Sequence, residues 1–203
     1  MKLGIYGGTF SPVHNAHVRA AEEFIDRCGL DKLLIIPAGI PPHKIVKDSV
    51  TPNQRLEMCR LAFSKLPKVE ISDMELRRSG KSYTVMTVRE LEGEEQELFL
   101  LCGTDMMLTF DTWYCFEEII KKCTLVCIRR ENDSETSSEL DDKLELYREK
   151  YGAKIIKLNV QAVELSSTEV RNALREGKNV SRMIPEKVLQ YVKENNLYTN
   201  NHE

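Results

Sequence analysis

Leu3-Gly4-Ile5-Tyr6-Gly7-Gly8-Thr9-Phe10-Ser11-Pro12-Val13-His14-Asn15-Ala16-His17 begins as a short apolar run and stops at a double glycine. Helical spacing follows: Ala20, Ala21, Phe24, Ile25 and Cys28 share one face, and Gly29 is placed to cap the end. The pattern is strand, turn, helix, and it repeats outward along the chain. Lys32 to Pro37 reads as a buried strand closed by proline. Thr51-Pro52-Asn53-Gln54 starts a helix, with Pro at its first position and capping-box spacing, and Leu56, Cys59, Leu61, Ala62 and Phe63 continue it. Val69 to Ser72, Leu98 to Cys102, Thr124 to Ile128 and Ala153 to Leu158 supply further strands. Tyr83 to Leu91, Glu117 to Lys122, Ser167 to Glu176 and Pro185 to Asn195 supply helices. Near-continuous apolar strands between helices predict an α/β fold: a doubly wound, mainly parallel sheet of about six strands with helices on both faces.

The chain has 203 residues, which predicts one domain spanning 1–203, with the 160–203 segment adding a hydroxyl-rich turn and the last helices. With 41% hydrophobic and 30% charged residues, it is expected to fold rather than stay disordered. A net charge of -3 argues against a general binder of nucleic acid, because phosphate-backbone binders carry a basic excess. Met1 to Tyr6 is too short an apolar run for a signal segment, and no stretch has the apolar length of a membrane span. The six cysteines form no C-x-x-C pair and sit mostly in apolar runs, so buried free thiols and a cytoplasmic location are expected. Glu131 to Lys150, with eight acidic and three basic residues, reads as a solvated loop and surface helix.

In sheets of this class, ligands bind outside the carboxyl ends of the strands. Three segments follow strands: Gly7-Gly8-Thr9, Ala38 to Lys44, and Gly103-Thr104-Asp105. The glycines let a ligand approach the backbone, and the next helix offers free N–H groups and a positive dipole end suited to phosphate. His14 and His17, three apart, lie on one side of the first helical turn and can donate hydrogen bonds to phosphate oxygens. Incidental surface histidines are the bland alternative. A zinc pair is a third, but no nearby acid or thiol has ligand spacing, so no metal ligand is assigned. Leu165-Ser166-Ser167-Thr168-Glu169-Val170-Arg171 is a capping box, and its three hydroxyls with Arg171 also suit a phosphate clamp. The G-x-G-x-x-G fingerprint of hydride-transferring enzymes is absent. Asp105 is either an N-cap for the segment from Met106 or a ligand group, and the lone Trp113 is by type a core residue.

The glycine–threonine–phenylalanine turn with H-x-x-H, paired with the late S-S-T-x-x-R, resembles the nucleotidyltransferase superfamily. Ile40-Pro41-Pro42-His43-Lys44, Ser82-Tyr83-Thr84, Gly103-Thr104-Asp105 and Trp113-Tyr114 fall in the order seen in the bacterial nicotinate mononucleotide adenylyltransferases, over nearly the whole chain. The resemblance implies a Rossmann-like fold and transfer of the adenylyl group of ATP, with Mg2+, to nicotinate mononucleotide. No covalent intermediate is implied. It assigns catalysis to His14, His17, Lys44 and Arg171. It assigns ATP binding to Gly7, Gly8, Thr9, Phe10, Gly103, Asp105, Arg130, Ser166, Ser167 and Thr168. His43, Tyr83, Thr84, Trp113 and Tyr114 take the pyridine nucleotide, its ring stacked on Trp113. Three positions depart from the family pattern. Ser11 replaces Asp, Ala16 replaces the glycine of H-x-G-H, and no proline follows Arg129-Arg130. A preference for nicotinamide mononucleotide, or a binder of the same fold that has lost turnover, are the alternatives. The sequence leaves the oligomeric state open, a homo-oligomer included, and implies no nucleic-acid or membrane partner.

Overall fold

Alternate residues of each strand feed opposite apolar layers, which accounts for the nearly unbroken apolar runs. In the computed structural model, which describes residues 1–42, 50–130, 137–160 and 165–199 (the side chains of Arg130 and Ser137 excepted), six strands form one sheet. They are β1 (Lys2–Gly8), β2 (Lys32–Pro37), β3 (Val69–Ile71), β4 (Glu97–Gly103), β5 (Cys123–Arg130) and β6 (Ile155–Val160). Their order is β3-β2-β1-β4-β5-β6, and every neighbouring pair is parallel. This is the doubly wound, Rossmann-like order, and it reverses between β1 and β4.

Helices cover both faces. On one lie α1 (Asn15–Cys28), α2 (Pro52–Phe63), α8 (Ser167–Arg175) and α9 (Glu186–Glu194). Their Phe24, Met58, Val170 and Val188 pack with Leu33, Ile35, Leu101 and Val126 of the strands. The other layer holds α3 (Met74–Arg77), α4 (Thr84–Leu91), α5 (Thr104–Leu108), α6 (Phe116–Lys122) and α7 (Ser137–Tyr151). Its core contains Leu34, Ile36, Leu100, Cys102, Leu125 and Cys127. The caps anticipated from sequence are present. Gly29 ends α1 in the left-handed conformation at φ 60°, and Thr51 and Ser166 close capping boxes with Gln54 and Glu169. No helix of the described residues is long and apolar enough to cross a membrane.

Two expectations need correction. The acidic stretch is not merely a surface helix. Its first residues, 131–136, lie outside the described residues, but α7 buries Leu140, Leu144 and Tyr147 in the second layer. Their spacing of four and three residues forms one apolar stripe beneath a charged face. Asp105 is not an N-cap either: Gly103 takes that position and Asp105 falls in the first turn of α5. Five of the six cysteines are buried thiols, and Cys115 is exposed.

Candidate active site

The strand order creates the site. β1 and β4 stay in register from Lys2↔Glu97 to Ile5↔Leu100, while the strands run on to Gly8 and Gly103. A crevice at such a reversal point is where doubly wound sheets take their ligands. A Cβ built on Gly7 or Gly103 would meet nothing within 4 Å, so both glycines border open space. Phe10 turns the chain through a positive φ of 50° and buries its ring. Its ring packs edge-on against His17, with centroids 5.1 Å apart.

His14 is the N-cap of α1 and only 5% exposed, which removes the reading of an incidental surface residue. The two imidazoles stack, with centroids 3.6 Å apart and planes 26° from parallel. The His14 backbone N–H donates to His17 Nδ1 at 3.2 Å. A ring nitrogen that accepts carries no proton, so the proton of neutral His17 sits on Nε2, the remaining donor. Burial, reinforced by His14, holds the His17 pKa well below its ordinary 6.5. Above pH 6.5 His17 is neutral in both states and costs nothing. As pH falls below 6.5, the unfolded chain takes up a proton that the folded chain resists, so stability drops. Acid destabilisation is expected to begin near that pH and to weaken in His17→Asn, measured as Tm against pH.

The late hydroxyl cluster meets this turn across the fold. Ser167 Oγ donates to the Pro12 carbonyl at 3.0 Å. Arg171 Nη1 donates to the Ser11 carbonyl at 2.7 Å, and its Nη2 donates to Thr168 Oγ1 at 3.0 Å. Ser11 Oγ also shares a 2.9 Å hydrogen bond with Tyr198 Oη, so the residue in place of the family aspartate is anchored through the end of the chain. Ser166 is occupied as a cap: its Oγ accepts from the Glu169 N–H and donates to Glu169 Oε2.

The described residues that the resemblance assigns to the pyridine nucleotide belong to the second layer. Tyr83 is the N-cap of α4, Thr84 its first residue, and the Tyr83 and Tyr114 rings lie 5.0 Å apart. Tyr114 is 56% exposed. Trp113 is half-buried against Phe110, with centroids at 4.9 Å, so it is neither a fully enclosed core residue nor a surface one. The hydrogen bonds that set this loop escaped the sequence reading. Tyr147 Oη, on α7, donates to the Met107 carbonyl at 3.0 Å and accepts from the Asp111 N–H at 3.2 Å. Lys143 pairs with Asp111 at 2.7 Å and holds that carboxyl below its ordinary pKa. Tyr147→Phe leaves two backbone groups short of a partner and is expected to cost about 1–3 kcal/mol. That reads as a Tm fall of roughly 2–4 °C per kcal/mol in a chain of this size.

Ser82 joins the loops after β2 and before α4. Its Oγ accepts from the Gly39 N–H at 2.9 Å, and its N–H donates to the Ile40 carbonyl at 2.8 Å. A Cβ on Gly39 would come within 2.5 Å of the Glu75 carbonyl, so only glycine allows this approach. Beneath it the buried Glu75 accepts from Thr87 Oγ1 at 2.6 Å, and burial raises its carboxyl pKa. His43 and Lys44 lie outside the described residues, as does the side chain of Arg130. Among the described residues, no three His, Cys, Asp or Glu side chains group closely enough to hold a metal ion.

This arrangement can grip a chain of phosphates between two helix starts and lay a flat ring beside Trp113. Comparison with known proteins gives the family. Residues 5–173 match the model of the cytidylyltransferase-like family. A chain named "Probable nicotinate-nucleotide adenylyltransferase" from Clostridium botulinum (strain Kyoto / Type A2) is 37% identical over 196 residues, 96% of this chain and 97% of its own. A chain of the same name from Listeria monocytogenes serotype 4a (strain HCC23) is 36% identical over 199 residues, 97% of each. The solved structure of Plasmodium falciparum nicotinic acid mononucleotide adenylyltransferase complexed with NaAD is similar with a TM-score of 0.77, covering 97% of both chains. At 17% identity, that likeness speaks for the fold alone.

Proposed function

Because the chain belongs to the nicotinate-nucleotide adenylyltransferase family, we propose that it transfers the adenylyl group of ATP to nicotinate mononucleotide, forming nicotinate adenine dinucleotide and pyrophosphate. The observation that carries the reading is the union of two phosphate-type motifs some 150 residues apart in sequence: Ser167 and Arg171 hydrogen-bond the Pro12 and Ser11 carbonyls beside the His14–His17 pair.

A phosphate oxygen of the mononucleotide attacks the α-phosphorus of ATP. The new P–O bond forms as the bond to the bridging oxygen of the β-phosphate breaks, and pyrophosphate carries that electron pair away. Such transfers depend on positioning and charge stabilisation, not on a protein nucleophile. His17 Nε2–H, with His14, donates to the α-phosphate as negative charge develops. Ser167, Thr168 and Arg171 hold the β- and γ-phosphates, with Ser166 ordering the turn as its cap. Gly7 and Gly103 border open space that the nucleotide can enter, while Phe10 lays its buried ring on Gly8 and so shapes the turn through Thr9; Asp105 would bind a ribose or help orient a metal-bound phosphate. Lys44, His43 and Arg130 are proposed on the family pattern alone. Tyr83, Thr84, Trp113 and Tyr114 receive the pyridine nucleotide.

Mg2+, if carried in with ATP, would offset part of the phosphate charge. Such an ion would need only one or two carboxylates from the protein, and Asp105 is the residue that would help to hold it. The whole chain acts as one nucleotidyltransferase unit, to which 160–203 contributes α8 and its anchoring of the first loop.

The test is product analysis. ATP, Mg2+ and nicotinate mononucleotide should yield the dinucleotide by chromatography, and no dinucleotide from folded protein would overturn the proposal. Trp113→Ala should raise KM for the mononucleotide about 2–10-fold, since ring stacking contributes about 0.5–1.5 kcal/mol beyond burial. KM for ATP should stay nearly constant. An equal rise in both would return Trp113 to a packing role.

A further inference from the structure

Arg55 is the largest fully buried side chain among the described residues, at 2% exposure. It stands on the first turn of α2, below the C-terminal ends of β1 and β2. Its Nη1 donates to the Thr9 carbonyl at 2.8 Å. Its Nη2 donates to the Ala38 carbonyl at 2.6 Å and the Gly39 carbonyl at 3.2 Å. Nε, also buried, has no hydrogen-bond partner among the described residues. Among the described residues, the ionisable groups beside it are Tyr198 and Cys59, neither a carboxylate. A buried cation whose partners are carbonyl dipoles is costly, so stability is a weak reason for it. Its three acceptors belong to two different loops. Thr9 lies in the glycine turn that leads to His14 and His17, and Ala38 and Gly39 open the loop after β2, which is hydrogen-bonded to Ser82 ahead of α4. The Ala38 N–H donates to the Gly8 carbonyl at 2.8 Å, so the loops already diverge from a shared point, and Arg55 braces them just beyond it.

We propose that Arg55 is a positioning residue for the transfer, fixing the glycine turn and the β2 loop relative to each other without touching either nucleotide. The inference rests on the adenylyl-transfer reading, in which ATP is held by the first loop and the mononucleotide by the second. The planar fork of Arg55 spans both loops, and an ammonium is a point charge that cannot reproduce that geometry.

The test compares Arg55→Lys and Arg55→Gln with Cys59→Ala, a change in the same core, one turn along α2, that leaves the loop carbonyls bonded. Misplacement of reacting groups by about 1 Å costs up to about 10²-fold. Both Arg55 variants should therefore lose about 10–10²-fold in kcat, with KM for each nucleotide within about threefold of wild type. Cys59→Ala should keep kcat even where its Tm falls as far. Amide hydrogen exchange is the second readout and needs no turnover. Ala38 and Gly39 should lose protection in the Arg55 variants and keep it in Cys59→Ala. Equal kcat loss in Cys59→Ala, or unchanged kcat and unchanged protection in folded Arg55→Lys, would overturn the assignment. Wild-type protein that forms no dinucleotide would overturn the reaction instead, with exchange still reporting on the brace.

Discussion

His17→Ala is expected to lower kcat by about 10²–10³-fold, the usual loss when one preorganised donor to a developing oxyanion is removed. Stability should fall far less. The ring is partly buried, its Nδ1 accepts one backbone hydrogen bond, and its face packs on Phe10. The lost hydrogen bond is worth about 0.5–1.5 kcal/mol. Two isosteres separate the two nitrogens. His17→Asn keeps an acceptor near Nδ1, so it should restore Tm but not kcat. His17→Gln places an amide near Nε2, so it should recover part of the turnover without restoring the cap. Wild-type kcat in His17→Ala would take His17 out of the mechanism.

Arg171→Ala is the second large effect. One guanidinium secures the Ser11 carbonyl and Thr168 Oγ1. Hydrogen bonds to charged groups contribute about 1.5–3 kcal/mol, so KM for ATP should rise about 10–10²-fold and the protein should lose stability of similar size. Arg171→Lys distinguishes charge from geometry. If charge alone serves the phosphates, lysine restores KM. The fork-like pairing with two partners predicts that it does not. A KM for ATP that is unchanged in Arg171→Ala, with only Tm lowered, would reduce Arg171 to a structural tie.

Much of the sheet is legible because its strands are buried on both faces. Leu33-Leu34-Ile35-Ile36 and Leu98 to Cys102 need no alternation to be read. Helices with strong caps are legible for a local reason, the Thr51–Gln54 and Ser166–Glu169 boxes. The short α3 is not, since four residues carry no period. The acidic residues of α7 dominate its composition and hide the stripe of Leu140, Leu144 and Tyr147, so its support of the Trp113 loop is missed. Arg55 is the sharper case. An arginine on a helix reads as solvated, and only tertiary contact with Thr9, Ala38 and Gly39 reveals it as buried. The chemistry-bearing residues were easier. Glycines after a strand, paired histidines at a helix start and clustered hydroxyls before an arginine are local patterns, though their meeting at Ser11 and Pro12 is a property of the fold.

The most direct test of the account is pyrophosphate release with ATP and Mg2+, comparing nicotinate and nicotinamide mononucleotides at equal concentration. Robust release with the nicotinate form and much weaker release with the nicotinamide form is the expected result. Equal release with both would contradict the assigned substrate, and release with neither from folded protein would contradict adenylyl transfer itself.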